Sequence, residues 1–255
     1  MRQLLCEVRR VREVAENVYV LSFLSSEISG SVRPGQFLNI KVSGGSDPLL
    51  RRPFSVYRTE RETVEIIFNI VGKGTEILSR RRPGDLLDVL GPLGVPFHLD
   101  PGSFETGILV GGGLGVAPLP ITMSQLRASG KQVITCLGAR TAGQLVTEHL
   151  ENVQVATDDG SRGYHGTVVD LLEQIIADRR PESPKIFGCG PTPMLRALAE
   201  FALGNGLLCE VSLEGPMACG FGICQGCPVE LSDEKGGYAL MCKDGPAFDV
   251  RTIRL

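Results

Sequence analysis

The sequence has no tryptophan, aromatic residues make up only 5% of it, and it holds 3 histidines in 255 residues. Nowhere do roughly 18 apolar residues run together, which excludes a membrane-spanning helix. The opening stretch, MRQLLCEVRRVREVAENVYV, has charges breaking every apolar run and so reads as no signal peptide. A basic surplus is missing as well. Lys and Arg number 26 against 29 Asp and Glu, a formal net charge of -3 that leaves no electrostatic footprint for nucleic acid. No internal repeat or low-complexity tract is present. His98, His149 and His165 read as loop or structural histidines, no Ser–His–acid arrangement is suggested, and no residue is assigned to catalysis.

Hydrophobic residues are 42% and charged residues 22%, the balance of a soluble globular protein, and the length suits one large or two ordinary domains. Glycine (32) and proline (16) are plentiful. They enforce many turns, as expected where backbone must approach cofactors closely.

Four of the 8 cysteines form one dense pattern near the end, C-x4-C-x2-C-x14-C, made of Cys219, Cys224, Cys227 and Cys242. A structural zinc site would more usually offer two short knuckles. One Cys-x2-Cys pair, preceded by a longer step rich in small residues and followed by a distant fourth Cys, instead resembles the plant-type [2Fe–2S] arrangement. Gly220, Gly222 and Gly226 fit it, because glycine lets the chain turn backbone N–H groups toward the sulfurs. Zinc and unliganded thiols remain the competing readings. Cys6, Cys136, Cys189 and Cys209 lie in or beside apolar runs and read mostly as ordinary buried residues. A chain this long needs no disulfide staples, so the compartment reads as reducing and cytoplasmic.

The fold class expected is multi-domain: an antiparallel β-barrel, an α/β parallel-sheet nucleotide domain, and a small C-terminal cluster module. Residues 1–98 read as short strands between Gly and Pro punctuation, the pattern of an antiparallel barrel or sandwich. Across 99–205 apolar runs (GILVGGG, QVITCLGA, VQVATDD, PKIFGCG) alternate with helical stretches, which gives a parallel sheet covered on both faces. Residues 206–255 lose that periodicity and are organised around the cysteines.

In the first unit, Arg52-Pro53-Phe54-Ser55 begins a strand. A guanidinium fork suits a pyrophosphate, Phe54 can lie along an apolar ring, and Ser55 can bond a polar ring edge. Gly72-Lys73-Gly74-Thr75 precedes a short helical run and could meet phosphate, without the spacing of a Walker loop. Singly, Arg52 could be a surface cation and the glycine segment a hairpin turn; paired, they mark a flavin site. In the second unit, Gly111-Gly112-Gly113-Leu114-Gly115 follows a strand, and Cys189-Gly190-Pro191 closes the last parallel strand ahead of a helix. Both runs lie at strand carboxyl ends, where open α/β sheets bind dinucleotides. Cys189 reads either as a core thiol or as a residue at the nicotinamide. Asp158 and Asp159 read as ribose contacts or as a solvated loop.

Together these motifs resemble the ferredoxin–NAD(P)+ reductase superfamily over residues 1 to about 205. The segment GPMACGFGICQGC with MCKDGPAF narrows the resemblance to the electron-transfer subunits of heteromeric, NAD-dependent (class 1B) dihydroorotate dehydrogenases. That resemblance implies FAD held by Arg52, Pro53, Phe54, Ser55, Ile67, Phe68, Asn69, Gly74 and Thr75. It implies NAD at Gly111, Gly112, Gly113, Gly115, Cys189, Gly190 and Pro191, and a [2Fe–2S] cluster ligated by Cys219, Cys224, Cys227 and Cys242. The implied partner is an FMN-containing dihydroorotate dehydrogenase catalytic subunit, in a heterotetramer of two chains of each kind, serving pyrimidine biosynthesis. The absence of a candidate base for a carbon acid fits such a transfer subunit. Phe54 stands where the superfamily more often has Tyr, and Ile67-Phe68-Asn69 replaces a Tyr- and Arg-bearing strand. The nearest alternative is the FAD/[2Fe–2S] subunit of an NADH-dependent ferredoxin:NADP+ oxidoreductase, a sulfide dehydrogenase or a soluble hydrogenase.

Overall fold

A computed structural model describes residues 1–100, 102–232 and 236–255. Six strands, β1 (Arg2–Ala15), β2 (Val18–Leu24), β3 (Phe37–Lys41), β4 (Arg52–Glu60), β5 (Thr63–Asn69) and β6 (Leu86–Leu93), close into a barrel in the order β1-β2-β5-β4-β3-β6. Every neighbouring pair is antiparallel. Alternation drives it: β6 reads exposed or half-buried at every second residue, so Leu87, Val89, Gly91 and Leu93 turn inward. Ile28 from the single-turn helix α1 (Ser26–Ser29) and Leu78 from α2 (Lys73–Ser79) complete the barrel core.

The second layer is a seven-stranded sheet, with strands β7 (Thr106–Gly112), β8 (Gln132–Ala139), β9 (Val153–Thr157), β10 (Tyr164–His165), β11 (Pro184–Cys189), β12 (Leu208–Ser212) and, from the chain's end, β15 (Ala247–Asp249). Its order is β10-β9-β8-β7-β11-β12-β15. All seven residues of β7 are buried, as a central strand covered on both faces must be. Helices α3 (Leu119–Ala128), α4 (Val168–Arg179) and α5 (Thr192–Gly204) supply the cover. A reciprocal capping box between Thr167 and Asp170 starts α4.

The third module holds the hairpin β13 (Pro228–Glu230) with β14 (Tyr238–Leu240) and the one-turn helix α6 (Met241–Asp244). The expected succession of barrel, nucleotide layer and small C-terminal module is therefore what the chain builds. Among the strands not foreseen, β15 pairs antiparallel with β12 and makes the sheet mixed rather than wholly parallel. The sheet thus runs past residue 205 and takes back a piece of the C-terminal segment. Two further ties fix that segment: Val95 N–H donates to the Gly245 carbonyl at 2.6 Å, and Leu213 N–H to that of Pro246 at 2.9 Å. The barrel and the sheet layer are joined by a two-pronged ion pair between Arg12 and Glu148 at 2.6 and 3.0 Å. Tyr57, fully buried, adds a hydroxyl donated to the Glu148 carbonyl at 3.1 Å.

Candidate cofactor sites

β4, β5 and α2 bring eight of the nominated residues to a single cleft of about 340 Å³. Arg52, Pro53, Phe54, Ser55, Ile67, Phe68, Asn69 and Thr75 all line it. Gly74 lies behind: a Cβ there would come within 3.2 Å of Arg52 Nε, so glycine lets the guanidinium stem lie against α2. The adjacent Arg51 is held by the Asp88 carboxylate at 2.9 Å. Arg52, by contrast, has no carboxylate partner among the described residues and donates to the Leu50 and Arg51 carbonyls at 2.7 and 3.2 Å. Phe54 and Phe68 pack with ring centroids 5.7 Å apart, stiffening the cleft floor. An unpaired guanidinium beside an apolar, aromatic-backed slot suits a ring system that carries phosphate.

A second cleft, about 400 Å³, opens at the carboxyl ends of the parallel strands. Gly112, Gly113 and Pro191 line it, with Met194, Arg140 and Asp158. Asp159 is turned to other work, accepting from Ser161 N–H at 3.0 Å and Ser161 Oγ at 2.6 Å. Gly111, Gly115, Cys189 and Gly190 do not line this cleft. At Gly115 an added Cβ would fall 1.9 Å from the Cys189 carbonyl oxygen, so this residue lets the turn after β7 settle on the end of β11. The same turn reaches both clefts: Gly112 and Gly113 line the second, Leu114 and Ala117 the first. Cys189 is fully buried, and burial pushes its thiol well above the usual range. Its S–H points at Glu214 Oε1, 3.8 Å away.

The four nominated cysteines gather in two pairs. Cys224 N–H donates to Cys219 Sγ at 3.5 Å, and Cys242 N–H donates to Cys227 Sγ at 3.5 Å. Gly222 N–H adds a bond to Cys242 Sγ at 3.1 Å. Gly220 and Gly222, at φ +81° and +90°, give the loop the left-handed turns that aim these amides inward. Burial alone would raise the Cys219 thiol, yet the N–H groups of Cys224, Phe221 and Ile223 outweigh it and bring the value down to about 6. Among the described residues no three His, Cys, Asp or Glu side chains converge as a single ion requires. Two thiol pairs under backbone amides suit two bridged irons better than one tetrahedral zinc.

Residues that reasoning from sequence did not find also line the flavin-type cleft: Leu213, Glu214, Gly215, Met217 and Pro246 from the C-terminal segment. Leu213, Glu214, Gly215 and Met217 follow the carboxyl end of β12, which lies parallel to β11, and Pro246 directly precedes β15, which pairs with β12.

A barrel cleft and a dinucleotide cleft sharing one turn, with paired thiols in a C-terminal loop, define a reductase of the ferredoxin–NAD(P)+ reductase superfamily. The sequence model of the iron–sulfur cluster binding domain of dihydroorotate dehydrogenase B matches residues 214–254. Among curated relatives, the chain is 39% identical over 251 residues to the dihydroorotate dehydrogenase B (NAD(+)) electron transfer subunit of Geobacillus kaustophilus, covering 96% of this chain and 95% of that one. The counterpart from Caldanaerobacter subterraneus is 39% identical over 241 residues, covering 93% and 92%. Among solved structures, one of the NADH-dependent reduced ferredoxin–NADP oxidoreductase superposes with a TM-score of 0.86 at 30% identity, covering 98% of this chain and 90% of that one. Phthalate dioxygenase reductase, at 16% identity and a TM-score of 0.62 over 94% and 77%, shares the fold. The chain belongs to the electron-transfer subunits of NAD(+)-dependent dihydroorotate dehydrogenase B. No helix among the described residues is long and apolar enough to cross a membrane.

Proposed function

We propose that this chain takes electrons from an FMN-containing, dihydroorotate-oxidising catalytic subunit and delivers them to NAD+. The assembly would be a heterotetramer of two chains of each kind, acting in the cytoplasm in pyrimidine biosynthesis. The turn over residues 112–117, which borders both clefts, is the observation that carries the reading, because it brings a flavin site and a nicotinamide site within reach of each other. Arg52 holds the flavin's pyrophosphate, while Phe54, Ser55, Ile67, Phe68 and Asn69 bracket its ring and Gly74 and Thr75 shape the approach. Gly111, Gly112, Gly113 and Gly115 let NAD lie close to the strand ends, with Pro191 forming the opposite lip and Cys189 and Gly190 supporting it from the end of β11. Cys219, Cys224, Cys227 and Cys242 hold the [2Fe–2S] cluster. When bound, a flavin exchanges two electrons with nicotinamide and single electrons with an iron–sulfur centre, which is why a chain with both sites needs it. The chain's own work is to position these groups and keep water from the cleft floor.

Co-purification with the catalytic subunit, followed by assay with dihydroorotate and NAD+, tests this. The isolated chain should reduce dyes with NADH and leave dihydroorotate untouched; the complex should reduce NAD+ with it. A complex inactive with dihydroorotate but active with reduced ferredoxin would transfer the assignment to the oxidoreductase type whose structure this chain also matches.

A further inference from the structure

The cluster loop touches the barrel at one fully buried polar residue, Asn39 in the middle of β3. Its flanking residues Leu38 and Ile40 are also wholly buried, so an aliphatic side chain would be the default there. Burying an amide is unfavourable unless its polar atoms are bonded. Asn39 satisfies only part of that demand: Nδ2 donates to the Cys219 carbonyl at 2.9 Å, while Oδ1 is buried with no partner among the described residues. Stability does not account for such a residue, and position does.

Each end of this contact is anchored. In the β3–β4 pair, Asn39 stands opposite Pro53 and Ile40 opposite Arg52, the first residues of the flavin-type strand. Pro53 has no N–H to give, and Arg51 Nη1 bonds the Asn39 carbonyl instead at 3.3 Å. Arg51 is itself fixed by Asp88. On the loop side, the bond lands on the backbone of Cys219, whose sulfur takes the Cys224 N–H. The next residue, Gly220, sits so close that an added Cβ would lie 2.4 Å from Asn39 Nδ2. A glycine and an amide thus meet where the thiol loop comes down on the strand carrying Arg52 and Pro53.

We propose that Asn39 is a positioning residue: its bond to the Cys219 carbonyl sets the separation and orientation of the thiol loop relative to the flavin strand, and so governs electron passage between the two cofactors. This rests on the function proposed above. Electron passage falls steeply with distance, and supporting contacts of this kind hold a site within fractions of an ångström. Asn39 lines neither cleft, so it leaves the binding of flavin and NADH to other residues.

The test uses the purified complex, with Asn39→Leu removing the donor at similar volume and Asn39→Ala removing it together with most of the side chain. Iron and flavin contents are measured first, then anaerobic rapid mixing with NADH follows flavin bleaching and cluster reduction separately. Electron paramagnetic resonance records the reduced cluster. Both variants should keep iron, flavin and the rate of flavin bleaching within about twofold of the unaltered protein, since the NADH cleft is untouched. Cluster reduction should slow by about tenfold or more, with a changed resonance signature. Cluster reduction at the original rate with an unchanged signature in Asn39→Leu would overturn the proposal, as would loss of iron from it. If NADH fails to reduce the cluster even in the unaltered complex, the underlying function falls and the proposal falls with it.

Discussion

Cys219, Cys224, Cys227 and Cys242 differ from the other four cysteines in what surrounds their sulfur. Cys136 lies on β8 and Cys6 on β1, strands that carry none of the four. In the C-terminal module, backbone N–H groups donate to the sulfurs of Cys219, Cys227 and Cys242. Changing any one of the four to Ser should therefore strip most of the iron and leave the flavin content near that of the unaltered protein, because the barrel cleft lies on other strands. Metal and flavin analysis of each variant checks this, and Cys136→Ser should keep its iron. Equal iron loss in Cys136→Ser would contradict the assignment. Asp158 is the second residue whose surroundings decide its role. It lines the dinucleotide cleft while its neighbour Asp159 is bound to Ser161. A carboxylate there would repel a 2′-phosphate and could accept from a free 2′-hydroxyl. Asp158→Ser should raise dye turnover with NADPH relative to NADH by about tenfold, on the order of 1.4 kcal/mol of selectivity. An unchanged ratio would remove Asp158 from the ribose site.

Among the elements, the meeting of the turn after β7 with the end of β11 is the tightest joint. The Cβ of an alanine at 115 would overlap the Cys189 carbonyl, a backbone atom that cannot rotate aside. Gly115→Ala should cost about 1–3 kcal/mol of stability, the usual range for overpacking, and should raise the KM for NADH as the turn lifts. Thermal unfolding and steady-state kinetics together measure it; full stability with unaltered KM would show the joint to be yielding. Most elements themselves were legible in the sequence. Short strand-like runs between Gly and Pro punctuation marked β2, β4 and β5, continuous apolar runs marked β7, β8 and β11, and the stretches between those runs marked α3, α4 and α5. β15 was not legible, since Ala247–Asp249 is three residues long and its only partner, β12, lies some distance back in the chain.

For the whole molecule, the apolar surface near the thiol loop is the feature that points outward. Ile223 is 75% exposed and Phe221 37% exposed, beside the exposed Cys224. Apolar side chains held in solvent beside the thiol loop suit a partner's surface. Ile223→Glu should weaken association with the catalytic subunit by about tenfold or more, through a charge stranded at the contact. Its NADH–dye turnover should not change. Titrating the purified chains against each other reads the first effect, and undiminished affinity would place the interface elsewhere.

The sequence by itself determined the order of the three units, the thiol spacing, and the residues at the strand ends that lie at the two clefts. Those features are local: ligand spacing, glycine at turns and the period of burial are written within a few residues of one another. The tertiary structure alone decided which acidic residue faces the dinucleotide cleft and that Glu214, Met217 and Pro246 close over the flavin-type cleft. It alone brought Asn39 against Cys219, 180 residues away in the chain. Contacts at that separation depend on the barrel closing, the sheet forming and β15 returning to its edge, and no periodicity in a single segment encodes them.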